Sequence, residues 1–164
     1  MNKIKLNILE YRKVVDALNG LKQRYLDSLE PIYSDDLDKL VSTNDGVEGM
    51  KVFTNSKGVP MGVVKNKKEY KAELDAIDTM VELMIPITRI NKLENYHHMS
   101  IDEVVAYADS QYAIVKEFEV QDNWVLVIRM AIENKIRDLT NEYIDIEYKN
   151  KLLKEHKEIL TKLI

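Results

Sequence analysis

Cysteine is absent from this 164-residue chain, which excludes disulfides, thiol catalysis and every thiolate zinc site. Three prolines and five glycines are too few for a turn-rich sandwich, and 45% hydrophobic residues lean away from disorder. No stretch approaches the ~18 apolar residues of a membrane span. Glu10, Tyr11 and Arg12 interrupt the first apolar run too early for a signal peptide, so a cytoplasmic location is expected. Only five of the 24 basic residues are arginine (Arg12, Arg24, Arg89, Arg129 and Arg137), which leaves the bidentate fork for phosphates and base edges scarce. With a net charge of −4, the chain is not one wholly devoted to nucleic acid, because phosphate neutralisation needs clustered cations. No glycine-rich phosphate loop follows a strand and no Ser or Thr stands in a nucleophile context. The expectation is therefore no enzyme and no cofactor.

What is present is helical periodicity. The fold class expected is mainly α, a helical bundle in one domain over 1–164, with a long coiled-coil-like C-terminal helix and one small β-hairpin insertion. Ile4, Ile8, Tyr11, Val15, Leu18, Tyr25 and Leu29 share one face with Lys22 in one slot, giving a helix over 3–29 that Pro31 ends. Gly20 lies inside it and costs about 1 kcal/mol relative to Ala. Ser34, followed by Asp35 and Asp36, caps a short helix over 34–41. Turn residues Asn55 to Gly58 separate KVFT from VPMGVV, the pattern of a hairpin over 50–64, and Pro60 makes its second strand an edge or a bulged one.

Tyr70, Leu74, Ile77, Met80, Val81 and Met84 form the face of a helix over 67–96, kinked or broken at Glu82–Ile85 by Pro86. Ser100 and Glu103 make a capping box that opens a helix over 101–118 with the face Ile101, Val104, Val105, Ala108, Tyr112 and Val115. The next segment is ambiguous. KEFEV alternates and WVLVIRM is rich in β-branched residues, as in a hairpin, but Trp124, Val125, Ile128 and Ile132 are in phase with all that follows. Phase continuity favours one helix over 124–164, about 60 Å long at ~1.5 Å per residue, with Leu126, Val127 and Met130 making its beginning apolar all round.

The long stripe carries the main functional expectation. Ile132, Ile136, Leu139, Tyr143, Ile146, Asn150, Leu153, Lys157 and Leu160 recur in strides of four and three, on to Ile164, a seam that requires a helical partner within the chain or on a second copy. A parallel self-pair sets Glu142 against Glu147 and Lys149 against Lys154; an antiparallel one turns both repulsions into attractions, which points to a homodimer. The ordinary reading ranks first: the stripe packs on the N-terminal helix, whose spacing it shares, and both arrangements can hold with one end internal and the other shared.

Charge is unevenly placed. Between Gly46 and Ala72 stand six cations, Lys51, Lys57, Lys65, Lys67, Lys68 and Lys71, against two anions, whereas residues 73 to 103 hold seven anions against two cations. The basic segment suits an acidic protein surface or a nucleic-acid backbone, or serves only to keep an edge soluble. Glu69, Glu73, Asp75, Asp78 and Glu82 invite comparison with all-helical nucleotide pyrophosphatases that hold magnesium on helix carboxylates, but Asp75, Asp78 and Glu82 fall opposite the apolar face; only Glu73 lies near the buried edge. Glu94 and His97 have the spacing of a di-iron bundle without a second copy of the motif, so His97 and His98 are read as loop or cap residues.

The function expected is a non-enzymatic interaction or regulatory protein that binds a protein partner and self-associates, with no membrane association. The alternatives are a nucleic-acid accessory protein using the lysine hairpin and a magnesium-dependent nucleotide hydrolase. An excess of Lys, Ile and Asn has the look of A+T-rich coding, as in many low-GC bacteria and their phages, and an effector from such a source fits the size.

Overall fold

The computed structural model describes residues 2–29, 41–43, 50–54, 60–65 and 67–163. In chain order the elements are β1 (Asn2–Asn7), α1 (Ile8–Leu29), β2 (Val41–Thr43), β3 (Met50–Thr54), β4 (Pro60–Lys65), α2 (Lys67–Met84), α3 (Ile101–Tyr112), β5 (Val115–Val120), α4 (Asp122–Asn141) and α5 (Ile146–Lys162). Among the described residues five α-helices dominate, so the protein is mainly α as expected. The described residues gather into two compact units, 1–20 with 79–164 and 21–78. Each is described by itself.

In the larger unit the first correction lies at the N-terminus. Residues 2–7 form a strand rather than the start of a helix, because Ile4 and Leu6 alternate with Lys3 and Lys5 at the period of two that only a strand sorts into faces. Its partner is β5, antiparallel, with Ile4 opposite Phe118 and Lys5 opposite Glu117. The alternation in KEFEV was thus a true strand signal, and the helix expected over 101–118 stops at Tyr112. The hairpin partner is not WVLVIRM, which is helical in α4, but the chain's own first strand, more than a hundred residues away.

Asn7 ends β1 and caps α1. Its Oδ1 accepts the Glu10 N–H at 2.8 Å, and Glu10 Oε1 accepts the Asn7 N–H at 3.0 Å, a reciprocal capping box. α1 then buries Ile8, Tyr11, Val14, Ala17 and Leu18 in this unit. Tyr11 meets Phe118 edge to face at 6.5 Å between ring centres, and its hydroxyl lies 2.7 Å from the Lys116 carbonyl and 3.3 Å from that of Ile4. One side chain thereby ties the helix to both strands.

The second correction concerns the C-terminal rod. Instead of one helix over 124–164, α4 ends at Asn141 and α5 starts at Ile146. Asp145 provides the restart: its carboxylate accepts the Tyr148 N–H at 3.1 Å, and an Asp before an apolar position is an N-cap signal that competes with a continuous stripe. The two helices pack on one another, so the partner that the seam requires is in part internal. α4 buries Ile128, Ala131, Ile132 and Leu139, and α5 buries His156 and Ile159. Each aliphatic side chain fully removed from water contributes roughly 1.5–3 kcal/mol. Leu126, one of the residues that make the start of this helix apolar all round, is exposed.

α2 ends at Met84 and a 3-10 turn, Ile85–Thr88, carries Pro86 at its start, as its missing N–H requires; the helix expected to reach 96 is therefore short by 12 residues. Ser100 caps α3 through the Glu103 N–H at 3.2 Å. His97 and His98 lie in an exposed 3-10 turn after Asn95, whose φ of 60° is left-handed, a conformation that Asn tolerates better than most residues.

The smaller unit holds a three-stranded antiparallel sheet in the order β2–β3–β4. The hairpin expected over 50–64 is β3 and β4, with β4 at an edge, Pro60 at its first position and a register shift at Phe53/Thr54. Val41 opens β2; the rest of the short helix expected over 34–41 lies outside the described residues. Leu21 and Ile77 are buried here, and Lys22, which interrupts the apolar face of α1, forms an ion pair with Asp78.

Candidate interaction surfaces

The break after Asn141 scatters the stripe. Ile132 and Leu139 belong to the core of α4, Ile136 is half-buried, and Tyr143 stands in the turn wholly exposed. On α5, Ile146 is 70% exposed, Asn150 and Lys157 are exposed and Leu153 and Leu160 half-buried. The inward face of α5 is one residue out of phase with the expected seam, running through Leu152, His156, Ile159 and Leu163. What remains outward is a shallow groove of about 490 Å3 along α5, lined by Asn150, Leu153, Lys154, Lys157, Glu158 and Thr161. Three of the expected interface residues are in it.

A surface the sequence reading did not single out is α3. None of its residues is buried: Ile101 is 82% exposed and Val105 51%. The segment is an amphipathic helix: Val104, Ala108 and Tyr112 on its apolar side are half-buried, whereas Ile101 and Val105 at the border of that side stay exposed. Tyr107 donates to the Asn91 carbonyl at 2.9 Å, and Arg12 donates from Nη1 to the Tyr112 hydroxyl at 3.1 Å and from Nε to the Thr88 carbonyl at 3.1 Å. The Arg12 guanidinium also lies 4.8 Å from the centre of the Tyr112 ring, a cation–π distance. α3 is held by these polar and ring contacts together with the partial burial of Val104, Ala108 and Tyr112. The signal was available: an apolar face without a second apolar segment assigned to cover it.

Between α1, α4 and α5 lies a cleft of about 480 Å3. Arg12, Lys13 and Lys135 supply cations to its walls, Asp16 and Glu142 anions, and Leu9, Leu139 and Leu152 apolar surface. Lys13 is paired with Glu155 at 3.2 Å. His156 borders the cleft from inside, its Nδ1 donating to the Leu152 carbonyl at 2.7 Å, which leaves Nε2 as the acceptor of a neutral ring. Burial, the largest effect, pushes its pKa below the ordinary histidine value, and Lys13 and Lys135 push the same way. The His ring is therefore a neutral structural group at neutral pH.

Of the lysines expected to form a basic contact, Lys51 lies in β3 opposite Val64, Lys65 ends β4 opposite Met50, and Lys67, Lys68 and Lys71 fall in the first turns of α2. Lys57 lies outside the described residues. The carboxylates divide as the wheel requires, with Asp75, Asp78 and Glu82 exposed and Glu73 half-buried. Among the described residues no group of three or more His, Asp or Glu side chains is placed to hold a metal ion, and no helix is long and apolar enough to cross a membrane. No protein family, curated protein or solved structure matches the chain.

Proposed function

We propose that this chain is a non-enzymatic, cytoplasmic interaction protein that binds and modulates a protein partner and self-associates through its C-terminal helices. The observation that carries the reading is α3, an amphipathic helix with no buried residue and with Ile101 and Val105 turned to solvent. Apolar surface gathered on one element is costly to leave wet and is removed from water when a partner covers it. Self-association draws support from Tyr143 and Ile146, exposed at the α4–α5 turn, and from the groove along α5. The test pairs two measurements on the full chain. Ile101→Glu with Val105→Glu abolishes capture of the native partner, and Tyr143→Ser with Ile146→Ser lowers the mass in sedimentation, both without a change in melting temperature. A monomer at high micromolar concentration, with partner capture indifferent to the α3 changes, retires the reading.

A second reading is a nucleic-acid accessory role for the lysine segment, favoured by the paired strands β3 and β4 that lead from Lys51 and Lys65 directly to Lys67 and Lys68. It requires binding that weakens steeply with salt and is lost when Lys65, Lys67 and Lys68 become Glu. Absence of binding to DNA and RNA at low salt retires it.

A further inference from the structure

We infer that the free edge of β5 is a docking strand for an extended peptide that carries lysine or arginine at every second position. The inference rests on the protein-binding reading and adds the surface and the chemistry of the partner. The phase of the ladder decides which groups are free. The Ile8 N–H donates to the Ile114 carbonyl at 3.2 Å, so along the β1–β5 register the pairs Leu6–Lys116, Ile4–Phe118 and Asn2–Val120 exchange their bonds, while Asn7–Val115, Lys5–Glu117 and Lys3–Glu119 turn N–H and C=O away from each other.

The two edges are not equivalent. On β1 the outward Asn7 N–H is taken by Glu10, and α5 packs against that strand. On β5 the outward backbone groups of Val115, Glu117 and Glu119 have no partner among the described residues. The strand carries neither proline nor lysine at these positions, and its register with β1 runs without a bulge. Proline and a bulge, two of the devices that blunt edge strands, are thus missing, and the charges of Glu117 and Glu119 remain.

Charge selects the occupant. Lys3 and Lys5 both reach Glu117, at 3.5 and 3.4 Å, and hold its carboxyl below the usual carboxylate range. Glu119 lies on the same solvent face, opposite Lys3 in register, with no ion pair among the described residues. A second copy of β5 laid against this edge brings glutamate beside glutamate, a repulsive cross-strand pairing. A strand with cations at alternate positions meets Glu117 and Glu119 instead. Its intervening side chains fall on the face of Phe118 and Val120 and are therefore apolar. Lys3-Ile4-Lys5-Leu6 has this pattern and already satisfies β5 on its other side. β5 thus displays one example of the partner it accepts.

The test is a nitrogen–proton NMR titration of the full chain with a short, capped peptide of alternating lysine and valine, and with its glutamate–valine counterpart. The basic peptide shifts the amides of residues 115–119 and the acidic one does not. Glu119→Pro removes only an outward N–H, keeps the β1 ladder and weakens binding about tenfold. If that variant does not fold, Glu119→Lys, with melting unchanged, carries the test by rejecting the basic peptide and accepting the acidic one. Equal binding of both peptides, silence of the β5 amides to millimolar peptide, displacement of β1, or concentration-dependent shifts at β5 without peptide each overturn the inference. Partner capture that still depends on Ile101 and Val105 while β5 stays silent overturns this inference alone, whereas loss of both dependences overturns the protein-binding reading as well.

Discussion

Lys162, near the end of the chain, donates to both carboxylate oxygens of Glu10, near its beginning, at 3.0 and 2.9 Å. The same Glu10 Oε1 accepts the Asn7 N–H, and the carboxylate is almost wholly buried. One side chain therefore closes the start of α1 and anchors the end of α5. Its charge is tolerable inside because a cation and a backbone donor both meet it.

Glu10→Ala removes the cap and leaves the Asn7 N–H and the Lys162 ammonium without their acceptor, a loss of about 2 kcal/mol in urea unfolding. Lys162→Ala removes only a half-exposed partner and costs less than about 1 kcal/mol. Equal losses from the two changes would show that the capping bond contributes nothing.

Tyr11 has its pKa raised to about 12, chiefly by burial. The folded protein then holds the phenolic proton where the unfolded chain, with its ordinary value of 10.0, has lost it. This stability is complete below pH 10 and is lost as pH rises from there towards about 12. Tyr11→Phe removes that alkaline decline and costs about 1 kcal/mol at neutral pH, since the hydroxyl bonds disappear. Denaturation at stepped alkaline pH, compared between the two proteins, reads the difference.

His156 has the opposite sign. Its folded pKa lies below the ordinary value of 6.5 because of burial first, with Lys13 and Lys135 adding to it. Between the folded value and 6.5 the unfolded chain binds the proton and the folded one does not, so stability is complete above this window and falls as pH falls through it. His156→Gln, which does not titrate, flattens this part of the profile. A profile with the same acid slope in both proteins would contradict the assignment.

Gly20 sits within α1, and nothing lies within 4 Å of where a Cβ would stand. Gly20→Ala therefore raises stability by about 0.5–1 kcal/mol through reduced freedom of the unfolded chain and better helix propensity. A destabilised variant in chemical denaturation would mean that the position needs a conformation alanine resists.

Much of the local structure was written into short-range chemistry. Ser100 with Glu103 and Pro86 after Met84 each act over a few residues, and the start of α3 and the break after α2 stand where the sequence puts them. The Asn7–Glu10 box and Asp145 are equally local signals, set against longer hydrophobic stripes that point to unbroken helices. Ile4 is in helical phase with Ile8 and Tyr11, and that phase masks Leu6, which lies nearly opposite Ile4 on a helix and joins it on one face only in a strand.

The sequence by itself determined a mainly helical protein without thiol chemistry, and the places where capping side chains and proline start or stop its helices, because those depend on groups that meet within a turn. Only the tertiary structure decided that β1 finds β5, that the C-terminal seam folds back on itself at Glu142–Asp145, and that Ile101 and Val105 of α3 are left exposed. These are choices among partners distant along the chain. Alternation and heptad spacing say that a face must be covered, and the three-dimensional arrangement alone says by what.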